Sequence, residues 1–355
     1  CPPFVGSWRG LLKTNAMKIL FVKRNIVLSV SALAIAGLLA SATLRKSDDG
    51  KKLVQSCNNT AVNHVCIMKT IFGLDTSQDG STFNTFKTPE KIDVAIKKGL
   101  EWTDKAQAND GGWGAGTHAR QDIKDPHAVT SDPATTSLVA MSLLRTDNSL
   151  QKGEYSKNLK KATDFLIKIT EECPDNQPYL TTLTNTHPQI KLGRNIDVIL
   201  TAQFFTNILR FDITDAQLKK RIEKALDKCV VRIQKGQDAD GSWKDGGWAP
   251  VLQSALANNA LESADDVGRK VDRDVMERSR KYQNSNFDTK TNSVMTGKAA
   301  GVMLYGLSST TRASAKEAKK AQDLVDKAKQ EGKIKDNTVN EENLRAAGVA
   351  SPEAK

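Results

Sequence analysis

The sequence predicts an all-α fold in which helices alternate between the inner and outer layers of a barrel. Three observations predict it. Apolar residues recur at helical spacing along most of 88–332, and no run with the period of a strand stands out. The helical patterns also alternate in character: a charged, amphipathic helix is followed by one that is apolar or small-residue-rich nearly all round. A helix that is apolar on every side must be buried on several sides, so the second kind belongs inside and the first outside. Finally, two loops between the kinds share one rule: Gln107-x3-Gly111-x-Trp113 and Gln237-x3-Gly241-x-Trp243. A loop repeated at helix ends marks a repeated helix–loop–helix unit.

The chain begins differently. Residues 1–46 hold seven basic residues and no acid, which leaves +4 of the net +11 for the remainder. That is an ordinary surface balance, and it argues against a nucleic-acid partner. Residues 1–16 read as an upstream extension before Met17. Residues 17–46 read as a signal peptide or an N-terminal membrane anchor: Lys23-Arg24, then Ile26–Leu44 without a charge, with a small-x-small pattern at Ala40-Ser-Ala42. If cleaved, the segment implies a periplasmic or secreted protein. If kept, its basic flank implies a single-pass anchor with the domain outside. In such an oxidising compartment Cys57 and Cys66 are the best candidates for a disulfide, while Cys229 falls on an apolar helix face.

Residues 47–332 form the expected helical domain, and 333–355 a charged, frayed tail. A helix is expected at Lys51–Leu74. Thr88-Pro89-Glu90 starts the next, whose apolar positions include Ile92, Ile96 and Leu100. Asp132-Pro133 opens an inner helix. Further helices are expected at Asn158–Thr170 and, strongly apolar, at Asn195–Leu209. Thr214-Asp-Ala-Gln217 reads as a capping box for a helix carrying Leu218, Ile222, Leu226 and Ile233. Pro250 starts an inner helix at 251–264. Asp266–Tyr282, Val294–Ser308 and Arg312–Glu331 complete the series, with Gly332 as a stop.

The two Gln/Gly/Trp loops, Asp132-Pro-Ala-Thr-Thr-Ser-Leu and Trp248-Ala-Pro250-Val-Leu resemble the QW-repeat superfamily of squalene cyclases and prenyltransferases. The likeness spans roughly 88–310. It implies an α/α toroid in which Gln107, Gly111, Trp113, Gln237, Gly241 and Trp243 are structural. The Gln is expected to bond backbone at a neighbouring helix end, with the Trp stacked beside it.

The residues that do chemistry in those relatives are mostly missing. The Asp-x-Asp-Asp acid of alkene-protonating cyclases has only Asp272-Arg-Asp274 in its place, on an outer helix, and Asp265-Asp266 reads as a helix-start pair. Aromatics that would line a cationic cavity are sparse. The Asp/Cys/His zinc set of protein prenyltransferases is absent, no metal is expected, and no cofactor is implied. Asp110, His118, Asp240 and Asp245 lie in loops expected at one end of the barrel, where they are candidates to line a ligand mouth. The sequence reading is therefore an extracytoplasmic protein that binds a hydrophobic, glycan or protein ligand. The alternatives are an isoprenoid-cyclase-like enzyme or a polysaccharide lyase or hydrolase.

Overall fold

The computed structural model describes residues 89–288 and 290–350. These lie within the second of the two units into which the chain divides, His64–Lys355. The expected extension, signal or anchor segment, first helix and Cys57–Cys66 pair fall outside the described residues. What is described is mostly helical, with one two-stranded antiparallel ribbon.

Helix α1 (Glu90–Lys105) places Glu90 and Asp93 in its first turn, where they complement the helix dipole. In α2 (Pro133–Leu144) the Asp132 carboxylate accepts the Thr135 N–H at 2.8 Å and Pro133 presets the first helical φ. Helix α3 (Ser156–Glu172) follows. A six-residue helix, α4 (His187–Leu192), is closed by a Thr186/Gln189 capping box that the sequence reading missed. Helix α5 (Ile196–Leu209) is buried from Ile196 to Ile208. Helix α6 (Ala216–Lys235) is capped by Asp215, not Thr214: the carboxylate accepts the N–H groups of Gln217 and Leu218, so the predicted cap shifts by one residue.

Helix α7 (Pro250–Asp266) runs two residues longer than expected, so Asp265 and Asp266 sit at a helix end rather than a start. Their charges oppose the helix dipole there, and salt bridges from Arg273 and Arg210 offset that cost. Helix α8 (Arg273–Asn284) is capped by Asp272. The ribbon pairs β1 (Phe287–Asp288) with β2 (Ser293–Val294).

The expected helix at 294–308 does not form as one piece. Ala300 and Gly301 take left-handed φ of 51° and 77°, and helix α9 starts only at Met303. It then runs unbroken to Gln330 through Ser308–Arg312, because that stretch holds no Gly or Pro to stop it. It ends in a Schellman turn at Gly332, with Lys333 N–H on the Ala328 carbonyl at 2.9 Å. The tail is not simply frayed. It folds into α10 (Glu341–Ala346), whose Leu344 packs on Val325 of α9.

Helix α5 is the centre. It packs against α2 on one side, α7 on another and α6 behind. Helices α2, α5 and α7 thus follow one another in one layer, while α3, α6 and α8 pack against them in turn. The core between them is mostly aliphatic, with Phe204 and Phe205 at its centre, centroids 5.8 Å apart, and Trp113, Phe165, Phe211 and Trp243 buried with them. Each Leu or Phe buried there contributes on the order of 1.5–3 kcal/mol. Helix α6 shows why the layers differ: Ile222, Leu226, Cys229 and Ile233 form a buried stripe, and Lys219, Lys220 and Lys235 face solvent.

Candidate functional site

The two Gln/Gly/Trp loops make one set of bonds twice. Gln107 Nε2 donates to the Gly111 carbonyl at 2.8 Å and to the carbonyl of Asn158, the third residue of α3, at 2.9 Å. Gln237 Nε2 donates to Gly241 at 3.2 Å and to Val275, the third residue of α8, at 2.8 Å. Trp113 donates its ring N–H to Thr103 of α1 and its backbone N–H to the Thr136 hydroxyl of α2, both at 2.9 Å. Trp243 does the same to Ile233 of α6 at 2.8 Å and Ser254 of α7 at 3.0 Å.

Each loop therefore ties three helices: the one before it, the one after it and the next one along the chain. The glycines make this possible. Gly111 and Gly241 have φ of 91° and 85°, and a Cβ on either would strike the carbonyl oxygen of Lys161 or Arg278.

The unit between them lacks the motif and reaches the same end by other means. Arg232 of α6 donates to the carbonyls of Gln177 at 3.0 Å, Cys173 at 3.2 Å and Pro174 at 2.9 Å. Asp197 of α5 accepts the N–H groups of Leu180 at 2.7 Å and Thr181 at 3.2 Å. Loop 173–181 is thus tied to α6 and to α5, by side chains on the helices instead of in the loop. Burial drives the Asp197 carboxyl up to about 7 against the pull of those N–H donors. Neither residue was singled out from the sequence. The available signal was an acid inside an otherwise apolar helix, and an Arg at 232, on the face of α6 that is otherwise apolar.

These loops gather at the N-terminal ends of α2, α5 and α7 and are joined in series. Thr117 bridges Thr186, Arg194 N–H bonds the Asp245 carbonyl at 2.7 Å, and Trp248 N–H bonds the Ile190 carbonyl at 3.2 Å. The sequence candidates for a mouth do not form one cluster here. Asp110 and Asp240 fold back on their own turns, accepting the N–H groups of Gly112 and Ser242. Partial burial raises the Asp240 carboxyl, but Lys244 and Ser242 outweigh it and hold the group at about 2.

His118 meets His187, Nδ1 to Nδ1 at 3.4 Å. Asp245 hydrogen-bonds Tyr179, whose phenol is pushed up to about 12 by burial and then by that carboxylate. Tyr179 therefore stays protonated as a donor. The Arg194 guanidinium lies 4.3 Å from the centre of its ring. Beside them Trp248 is half-exposed, edge-on to Tyr305 at 6.2 Å, with the Lys191 ammonium 5.5 Å from its centroid. Indole, phenol and guanidinium groups of this kind stack on flat apolar faces and donate to oxygens.

The remaining polar and titratable groups near these loops are accounted for locally. His127 bonds the Lys105 carbonyl at 2.9 Å. Asp272 caps α8 through Asp274 N–H at 2.9 Å. Cys173 and Cys229 are free and buried, and burial lifts the Cys229 thiol to about 12, which leaves it inert. Among the described residues no three His, Cys, Asp or Glu side chains cluster to hold a metal ion, and no helix is long and apolar enough to cross a membrane. Compared with known proteins, the chain matches no family model, no curated protein and no solved structure.

Proposed function

We propose that the chain is an extracytoplasmic ligand-binding protein built as an α/α toroid of the squalene-cyclase/prenyltransferase repeat kind. The observation that carries the fold reading is the duplicated clasp. Two loops far apart in sequence bind three helices each through the same atoms in the same register. Alternating inner and outer helices held this way curve into an arc. The ligand, hydrophobic or glycan, sits where the loops meet, against Trp248, Tyr179, Arg194 and Lys191. These groups stack and donate, which suits binding. Titrating the intrinsic fluorescence with farnesol and with a uronic-acid oligosaccharide tests this. One of the two should shift the emission saturably in the native chain and not in Trp248→Ala. No response to either, or an unchanged response in the variant, overturns the reading.

One observation favours an isoprenoid-cyclase-like enzyme as the second reading: Asp197 is a buried carboxyl held near neutrality. Its oxygens are occupied by the N–H groups of Leu180, Thr181 and Val198, which fits a loop anchor better than an acid. Incubation with squalene and product analysis by mass spectrometry decides it; an absence of cyclised product removes the enzyme reading.

A further inference from the structure

Where α7, α8 and α9 meet, the interior holds charged groups. Glu262 of α7, 2% exposed, faces two guanidinium groups. Arg312 Nη2 of α9 is 3.2 Å from Oε2, and Arg280 Nε of α8 is 3.7 Å from Oε1. The second distance is an ion pair too long for a hydrogen bond. Arg280 Nε and Arg312 Nε are both buried without a hydrogen-bond partner.

Asn258 stands one helical turn before Glu262 on the same face of α7. It is fully buried, and neither its Oδ1 nor its Nδ2 has a partner. Next to it, Asn259 Oδ1 accepts from Arg312 Nη2. Guanidinium groups from α8 and α9 thus share the Glu262 carboxylate of α7, each with its buried Nε–H unpaired, and Asn258 stands unpaired one turn away on α7. A buried donor left unpaired destabilises the fold, and an uncompensated buried charge does so more. Both costs fall away if an anion with several acceptor oxygens sits among these donors.

We propose that Arg280, Arg312 and Asn258 form a binding site for a small oxyanion, a phosphate or carboxylate group, with Glu262 holding the two guanidinium groups in place. Guanidinium groups suit this ligand because their forked N–H groups match its oxygens. Because the donors come from α7, α8 and α9, the bound anion also fastens α9 to the rest of the fold. The site is separate from the loop end of the molecule and does not depend on the ligand proposed there.

The test uses the whole chain, with inorganic phosphate and acetate as probes at an ionic strength kept constant with potassium chloride. Thermal midpoints and isothermal titration report binding. Phosphate or acetate, but not chloride, should raise the midpoint saturably, with one site per chain. A response to phosphate alone assigns a phosphate group, and a response to acetate assigns a carboxylate. Arg280→Gln should weaken the response at least tenfold.

Asn258→Asp gives a readout that survives a failure of any other variant to fold. It places a carboxylate among the donors, so it should raise the midpoint without added anion and abolish the response to one. If the cluster merely holds water, the same change buries a charge and lowers the midpoint. That result, or an anion response that persists in Arg280→Gln, overturns the proposal.

Discussion

The two clasps make the same bonds, yet the helices they start from differ. Helix α6, before the second clasp, buries a full stripe from Ile222 to Ile233. Helix α1, before the first, has no buried residue among those described, and Ile92, Val94, Ile96 and Trp102 are all exposed. The motif therefore fixes the turn and the three helix ends around it. It does not fix how the rest of the helix packs. That depends on which neighbours surround each helix: α6 lies between α5, α3 and α7, whereas among the described residues α1 makes no such extended helix–helix contact.

Breaking the second clasp should have the largest effect. Trp243 is fully buried and uses both of its N–H groups. Trp243→Ala removes that packing and both bonds, and should cost about 3–5 kcal/mol in a urea-unfolding experiment. Trp113→Ala should cost less, because one of the helices it fastens is already exposed. Equal losses would show that the clasp, and not the helix behind it, carries the energy.

Gly241→Ala comes next. The new Cβ would meet backbone that cannot move aside, at a φ that L-residues avoid. A loss of about 2–4 kcal/mol is expected. Gly246→Ala, also at positive φ but with open space around it, should lose only about 1 kcal/mol. Similar losses at the two sites would mean that conformation, not collision, sets the requirement for glycine.

These residues mark what could be read from the sequence. The Gln, Gly and Trp spacing, the Asp132-Pro133 start and the all-apolar α5 are local patterns, and each specifies its own surroundings. Arg232 and Asp197 could not be read so, because their partners lie 55 and 17 residues away. The candidate site was less legible still. Asp110 and Asp240 look like ligand-mouth acids in a Gly-rich loop, but each carboxylate accepts the N–H group two residues on, in a short Asx turn, and further donors from Ser131, Ser242 and Lys244. His187, Tyr179 and Arg194 became neighbours of His118 and Asp245 only through loop-to-loop pairing.

Asp197 gives a pH test of the middle unit, the one closed without the motif. Its folded pKa is about 7, above the value near 3.9 of an unfolded Asp. The folded state therefore holds a proton that the unfolded state releases between about pH 4 and pH 7. Its contribution to stability is full below that window and is lost as pH rises through it. Urea midpoints of the native chain minus those of Asp197→Asn should fall from pH 4.5 to pH 7.5, read against Trp243→Phe as a variant without a titratable change. A flat difference would mean that the three N–H donors keep the carboxylate ionised in spite of burial.

The smallest effect belongs to α1. An apolar side chain that is exposed gains little from the fold, so Ile92→Ser should stay within about 0.5 kcal/mol of the native chain. Ile222, at the corresponding place on the buried stripe of α6, should cost several times more when changed to Ser, since a hydroxyl then replaces a packed side chain. Amide hydrogen exchange separates the two helices without substitution: α1 should exchange through local opening, and α6 only at rates close to global unfolding. If Ile92→Ser proved as costly as Ile222→Ser, the apolar face of α1 would have a partner in solution, and the two clasps would then hold equivalent helices.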